Sequence, residues 1–288
     1  MYADTMSLEK TLYLLASLAY IRLRSAKHQA CLNVLLSLLA IFAHFEMTEL
    51  LYIFMLCIVA SFIQRTTGFG FGIFIMTMLP YLMPSYGEAT TLSGLLALTT
   101  SLFVAVRMRK YIVWKRLAVI LPAFIAASAV AIFSLNSMND RLLRQILGVV
   151  LIIASLYFIF FSNRIRLRPT VPAQIGTGML SGLMGGFFGM QGPPAVLYFI
   201  NSEKDKEHYM AMLQCYFFLG NGAMTLLRAS NGFLTMTVAK DYLYGLGGIA
   251  AGSIIGSIAF RHIPARIFKY IVYAYIGISG IIVLCTLP

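Results

Sequence analysis

Charged residues are sparse along this chain, and they bracket uncharged runs at 29–45, 50–64, 66–87, 89–106, 117–139, 145–163, 169–202, 209–227, 242–260 and 270–288. Most of these runs are long enough for a helix to cross a hydrocarbon core of ~30 Å, which takes about 20 residues. Strands of a membrane barrel would alternate apolar and polar positions over about ten residues. Stretches such as 117–134 and 146–161 are instead apolar on every side, so the pattern predicts an all-α polytopic membrane protein.

Composition agrees. With 60% hydrophobic and 11% charged residues, the chain has too few polar side chains to coat a water-soluble globule. Its net charge of +12 would point a soluble protein toward nucleic acid. Here Lys and Arg sit in the connections between apolar runs, where they set topology and meet lipid headgroups, so membrane lipids are expected partners and nucleic acid is not. Cys31, Cys57, Cys215 and Cys285 stand singly inside apolar runs, without a CxxC pair or a histidine at ligand spacing, and read as packing residues. No metal or cofactor is expected. HExxH, GxxxxGK[ST] and a GxSxG with matching His and Asp are all missing, so an enzyme is not expected either.

The first ten residues carry Asp4 and Glu9 against one lysine, the wrong charge for a signal-peptide start. Residues 1–47 read as an N-terminal extension with a candidate extra membrane helix at 30–45. Met47 precedes the first strong hydrophobic unit, which makes 1–46 a candidate upstream extension of the reading frame.

The remainder divides into two candidate repeats, 48–168 and 169–288. A shift of 121 residues places Gly189 on Gly68, Leu213 on Leu92, Arg228 on Arg107 and Ile267 on Ile146. Each half opens with an over-long apolar run broken by glycine: Thr66-Thr67-Gly68-Phe69-Gly70-Phe71-Gly72 in the first and Gly182-Leu-Met-Gly-Gly-Phe-Phe-Gly189-Met-Gln191-Gly192-Pro193-Pro194 in the second. The 34 uncharged residues 169–202 would form a straight helix of roughly 50 Å, longer than the bilayer core, so the run must break, tilt or double back. Glycine disfavours helix and proline lacks an amide hydrogen, which puts the break at 189–194 with Pro193 or Pro194 opening a new half-helix. The competing reading gives the glycines to close helix packing alone.

A half-helix that starts at membrane depth aims unsatisfied amides and its positive dipole end inward, an arrangement that suits an anion. The candidate site is therefore Thr67, Gly68, Gly70 and Gly72 from the first break and Gly189, Gln191, Gly192, Pro193 and Pro194 from the second. Arg65 joins them, because a membrane-buried arginine costs at least ~2.5 kcal/mol and is expected to face an interior partner; the competing reading has it snorkel or pair with Glu88 or a backbone carbonyl. Gln64, Ser93, Gln214 and Asn221 are candidates for the surrounding polar lining. Glu88 reads as an interfacial residue at a helix start, and Arg107 and Arg228 as interfacial anchors at helix ends.

At the two motifs, Thr67-Gly-Phe-Gly-Phe71 and Gly182 to Pro194, the sequence resembles the TauE/SafE sulfite exporter family over about residues 48–288. The resemblance implies about eight transmembrane units and secondary transport of sulfite, a sulfonate or a related small organic anion. An ion gradient would supply the energy, with the proton as the expected coupling ion; an oligomer is compatible with this reading. A membrane scaffold or accessory subunit and a lipid-modifying enzyme are the alternatives. If both broken segments are re-entrant hairpins, the basic clusters gather on one side and leave Arg141, Arg144, Arg228 and Lys240 on the other, a better fit to positive-inside counting than full crossings.

Overall fold

In a computed structural model, the chain is described over residues 49–160, 169–203, 205–259 and 265–285. The extension 1–47 and its candidate helix lie outside them. The chain clusters into two compact units, 1–52 and 53–288, and the second is a helical bundle. The described residues are helical and contain no strand, as the all-α reading requires.

The elements are α1 (Glu49–Thr67), α2 (Phe71–Ile75), α3 (Leu79–Leu82), α4 (Tyr86–Arg107), α5 (Trp114–Leu135), α6 (Asp140–Phe160), α7 (Val171–Phe188), α8 (Gly192–Ser202), α9 (Lys206–Ser230), α10 (Met236–Ala259) and α11 (Ala265–Cys285). Among the described residues, five helices are long and apolar enough to cross a membrane: α1 from Leu50, α4, α5, α6 and α9. Large apolar side chains such as Phe103, Val130, Ile153, Leu226 and Ile254 stand exposed on several helices. That much open apolar surface suits lipid as the surrounding medium.

Small residues fix the pairings. On α7, Gly178, Gly182 and Gly186 recur every fourth position, and a Cβ at each would run into the α5 backbone at Ile120, Phe124 and Ser128 respectively. Gly248 and Gly252 of α10 meet the α1 backbone at Phe54 and Ile58 in the same manner. On α6, Gly148 lies against Gly280 of α11. Without a hydrophobic force between helices in lipid, such close backbone approach is what gains dispersion contact.

The contacts also trace the path. α5 and α7 run side by side in one direction, whereas α4 and α9 are antiparallel: Gly94 meets Arg228, and Leu98 meets Gly222. One end of the bundle carries the α4–α5 connection, where Tyr111 stacks edge-on to His208 at 5.3 Å and Arg116 pairs with Glu203 at 2.5 Å. At the other end, the Tyr86 amide donates to Asp140 at 2.9 Å and Asn136 donates to Asn231 at 3.1 Å. Glu203, just past α8, therefore returns to the end where α5 and α7 begin, so α7 and α8 double back on each other. Cys57 and Cys215 are buried as expected, but Cys285 is exposed, on the outward side of the last turn of α11.

Candidate functional site

Local chemistry makes the two breaks. α7 ends at Phe188 because Gly189 enters the left-handed region (φ 66°), which a side chain disfavours; its N–H returns to Gly185 O at 2.9 Å. Gln191 then caps α8, whose first turn contains Pro193 and Pro194. This is the predicted break, with the new helix starting one residue before Pro193. The prolines have no amide hydrogen, so of the four orphan donors expected at a helix start those of Gln191 and Gly192 remain.

In the first half α1 ends at Thr67, and Gly68 and Gly70 take φ of 85° and 99°. Thr67 spends its hydroxyl on the broken end itself, donating to Phe69 O at 2.5 Å, and Thr66 donates to Ile63 O at 2.9 Å. Gln214 reaches across from α9 to donate to Gly68 O at 2.7 Å, and Gln64 donates to Thr100 at 2.9 Å. The Gln214 bond holds an unwound carbonyl that the helix gave up.

The two breaks touch: a Cβ on Gly72 would lie 2.5 Å from the carbonyl oxygen of Gly189. Beside this junction is a cavity of about 30 Å³, lined by Gln64, Gly70, Gly72, Ser101, Gly189, Gln191, Gly192 and Asn221, with Phe71 and Phe217 as apolar walls. Gln191 is fixed by the Ser181 hydroxyl, which donates to its carbonyl, and by its own amide, which donates to Phe217 O at 3.3 Å; its Oε1 is buried without a partner. The Ser101 hydroxyl is also buried and unpartnered. A Cβ on Gly220 would lie 2.6 Å from Gln191 Oε1, so that glycine makes the room Gln191 occupies.

Of the ten predicted site residues, Gly70, Gly72, Gly189, Gln191 and Gly192 line the cavity. Gly68 and Thr67 shape the first break behind it. Pro193 and Pro194 are buried in the first turn of α8. Arg65 is not part of this lining, and its stem packs on Gly256 of α10. Asn221 belongs to the lining as expected, and Ser93 approaches Gly189. Glu88 does sit at a helix start, its N–H bonded to the Ser85 hydroxyl at 3.2 Å.

One lining residue was missed and one expectation failed. Ser101 was missed because a lone serine in an apolar run gives no signal of which face it occupies. Arg228 is not an interfacial anchor: it is fully buried, and its Nη2 donates to Gly185 O at 2.7 Å and Gly186 O at 3.1 Å, capping the carbonyl end of α7. Arg107, at the matching position of α4, is exposed.

Apolar helices long enough to span, an apolar exterior and a polar hollow between broken segments define a multi-pass helical membrane protein. The chain belongs to the TauE/SafE sulfite exporter family, whose profile matches residues 53–283, a family of membrane transporters rather than enzymes. It is 23% identical over 201 residues to the protein named "Probable sulfite/organosulfonate exporter TauE" of Cupriavidus necator, covering 68% of this chain and 78% of that one. No solved structure matches the chain.

Proposed function

We propose that the protein is a secondary exporter of a small sulfur oxyanion, sulfite or an organosulfonate, and that it binds its substrate where the tips of two opposed re-entrant hairpins meet. The contact of Gly72 with Gly189 beside a polar cavity carries this reading. The donors available there are the Asn221 amide, the Ser101 hydroxyl and the Gln191 and Gly192 N–H groups at the positive end of α8. Such neutral donors suit an oxyanion that must also leave, since a fixed charge at the same point would deepen the well. The unpartnered Oε1 of Gln191 favours an anion that still carries an acidic proton, as bisulfite does.

A cavity of about 30 Å³ has room for roughly two waters. A sulfonate needs the walls to part, so this conformation reads as one in which the cavity is too narrow for its cargo.

Two halves, 48–168 and 169–288, supply the symmetry that alternating access uses. A shift of 121 residues carries α1 onto α7, α2 onto the start of α8, α4 onto α9, α5 onto α10 and α6 onto α11. Under it the α1–α10 seam becomes the α7–α5 seam, with the glycine stripe carried by α10 in one and by α7 in the other, and the α4–α9 and α6–α11 pairs map onto themselves. An intervening odd number of crossings inverts the second half. The end bearing Arg109, Lys110, Lys115 and Arg116 is then cytoplasmic.

The test is flux in proteoliposomes. Sulfite and sulfoacetate should move and accelerate when a proton gradient is imposed, while a plain dicarboxylate should move more slowly. A protein that leaves all three anions where they are, in vesicles where it is folded, is an accessory subunit and not an exporter.

A further inference from the structure

Arg228 sits inside the bundle with no exposed surface, and no carboxylate pairs with it among the described residues. Its Nη2 is used on the α7 carbonyls, but Nε and Nη1 are buried without a partner. A guanidinium so placed loses its hydration and recovers it in part only. Tying down α7 occupies Nη2 alone and gives no task to the two other buried donors.

The surroundings show where the spare donors lead. Gly94 of α4 has no side chain, and a Cβ there would lie 3.1 Å from Arg228 Nη1, 3.8 Å from Thr225 Oγ1 and 4.0 Å from Asn221 Oδ1. These three polar tips converge on one spot of α4 because positions 221, 225 and 228 fall on one face of α9 at helical spacing. Asn221 also lines the cavity at the hairpin tips. Thr225 Oγ1 and, on the facing helix, Ser93 Oγ are buried and unpartnered as well. A seam of polar tips thus leads from Asn221 at the cavity along α9 to Arg228, away from the basic end of the bundle and toward the end where Asn136 meets Asn231.

We infer that the seam over Gly94 is a second, charged oxyanion site on the outward leg of the route, with Arg228 Nη1 and Nε as its cationic donors and Thr225 as its hydroxyl partner. This rests on the export reading, and it adds direction. An anion leaving the neutral donors at the tips is drawn forward by a positive charge that only this half presents, since Arg107 lies exposed at the other end.

Two experiments decide it. Arg228→Gln should raise KM for sulfite by about 10–100-fold, the effect of losing charge-assisted hydrogen bonds, and Arg228→Lys should recover most of that loss. Doubly charged sulfoacetate should suffer more than singly charged methanesulfonate, a split that a purely structural defect would not produce. Second, with Arg228 in place, Thr225→Cys should react with a membrane-impermeant thiol reagent, read at position 225 by peptide mass, and sulfoacetate should slow that reaction. An unchanged KM in folded Arg228→Gln, equal penalties for both sulfonates, or labelling indifferent to sulfoacetate would overturn the inference. Wild-type vesicles that move no anion would instead remove the export reading, while protection of the thiol introduced by Thr225→Cys would still report the site.

Discussion

Single residues here take their meaning from the face they occupy. Gln191 was legible as a candidate because it is polar inside a glycine-proline break, and the cavity contains it. Arg65 and Arg228 pose the same riddle in sequence, a lone arginine in apolar surroundings; one-dimensional reasoning gave the inward role to Arg65, yet the fully buried one is Arg228. Arg228 is two residues from the end of α9, where an arginine ordinarily snorkels to the interface; only the approach of Gly94 and of the α7 carbonyls reveals that this face is covered. The fit at Gln191 is equally local. Gly220→Ala brings a methyl to 2.6 Å from Oε1 and 2.9 Å from the buried Phe124 ring, so it should displace that amide, raising KM for sulfite by about tenfold while lowering the unfolding temperature, as zero-trans flux and thermal unfolding will show.

At the scale of elements, the glycine-rich motif of the second half divides its labour. Gly178, Gly182 and Gly186 serve packing on α5, whereas Gly189 serves the break. Sequence reasoning set these readings against each other, but both hold because helical spacing puts the packing glycines on one face and leaves the terminal glycine to turn the chain. Gly182→Leu forces a side chain into the Phe124 carbonyl, and overpacking of this kind costs about 1–3 kcal/mol or more, so the variant should unfold several degrees lower or fail to assemble. Gly72→Ala meets the Gly189 carbonyl at 2.5 Å and is expected to separate the hairpin tips. Flux should fall at least tenfold even where the fold survives, measured beside a melting curve on the same preparation.

For the whole molecule, the distribution of charge and the doubling back of α7 and α8 make one prediction about sidedness. A reporter fused after Pro288 should lie outside the cell, because α11 runs antiparallel to α6 and so ends at the face opposite the basic clusters. Cytoplasmic activity of that reporter would mean that the broken segments cross fully. The membrane class and all-α fold could be read from charge spacing alone, since lipid leaves the backbone few other choices. Which helices pair could not, because every run is apolar and the pairing depends on a methyl's width at chosen glycines. The Arg116–Glu203 tie at 2.5 Å closes the basic end by joining α5 to the tail of α8. Replacing Glu203 with Gln should loosen that end and raise the labelling rate of a cysteine placed at Asn221 from the cytoplasmic side.

Gly72 and Gly189 press backbone on backbone, with no side chain between them to give way. A lever with no slack at its pivot passes every displacement on, so in the exporter proposed above the withdrawal of one tip should draw the other after it. On the export reading, the same tightness should keep the membrane from being pierced from both faces at once.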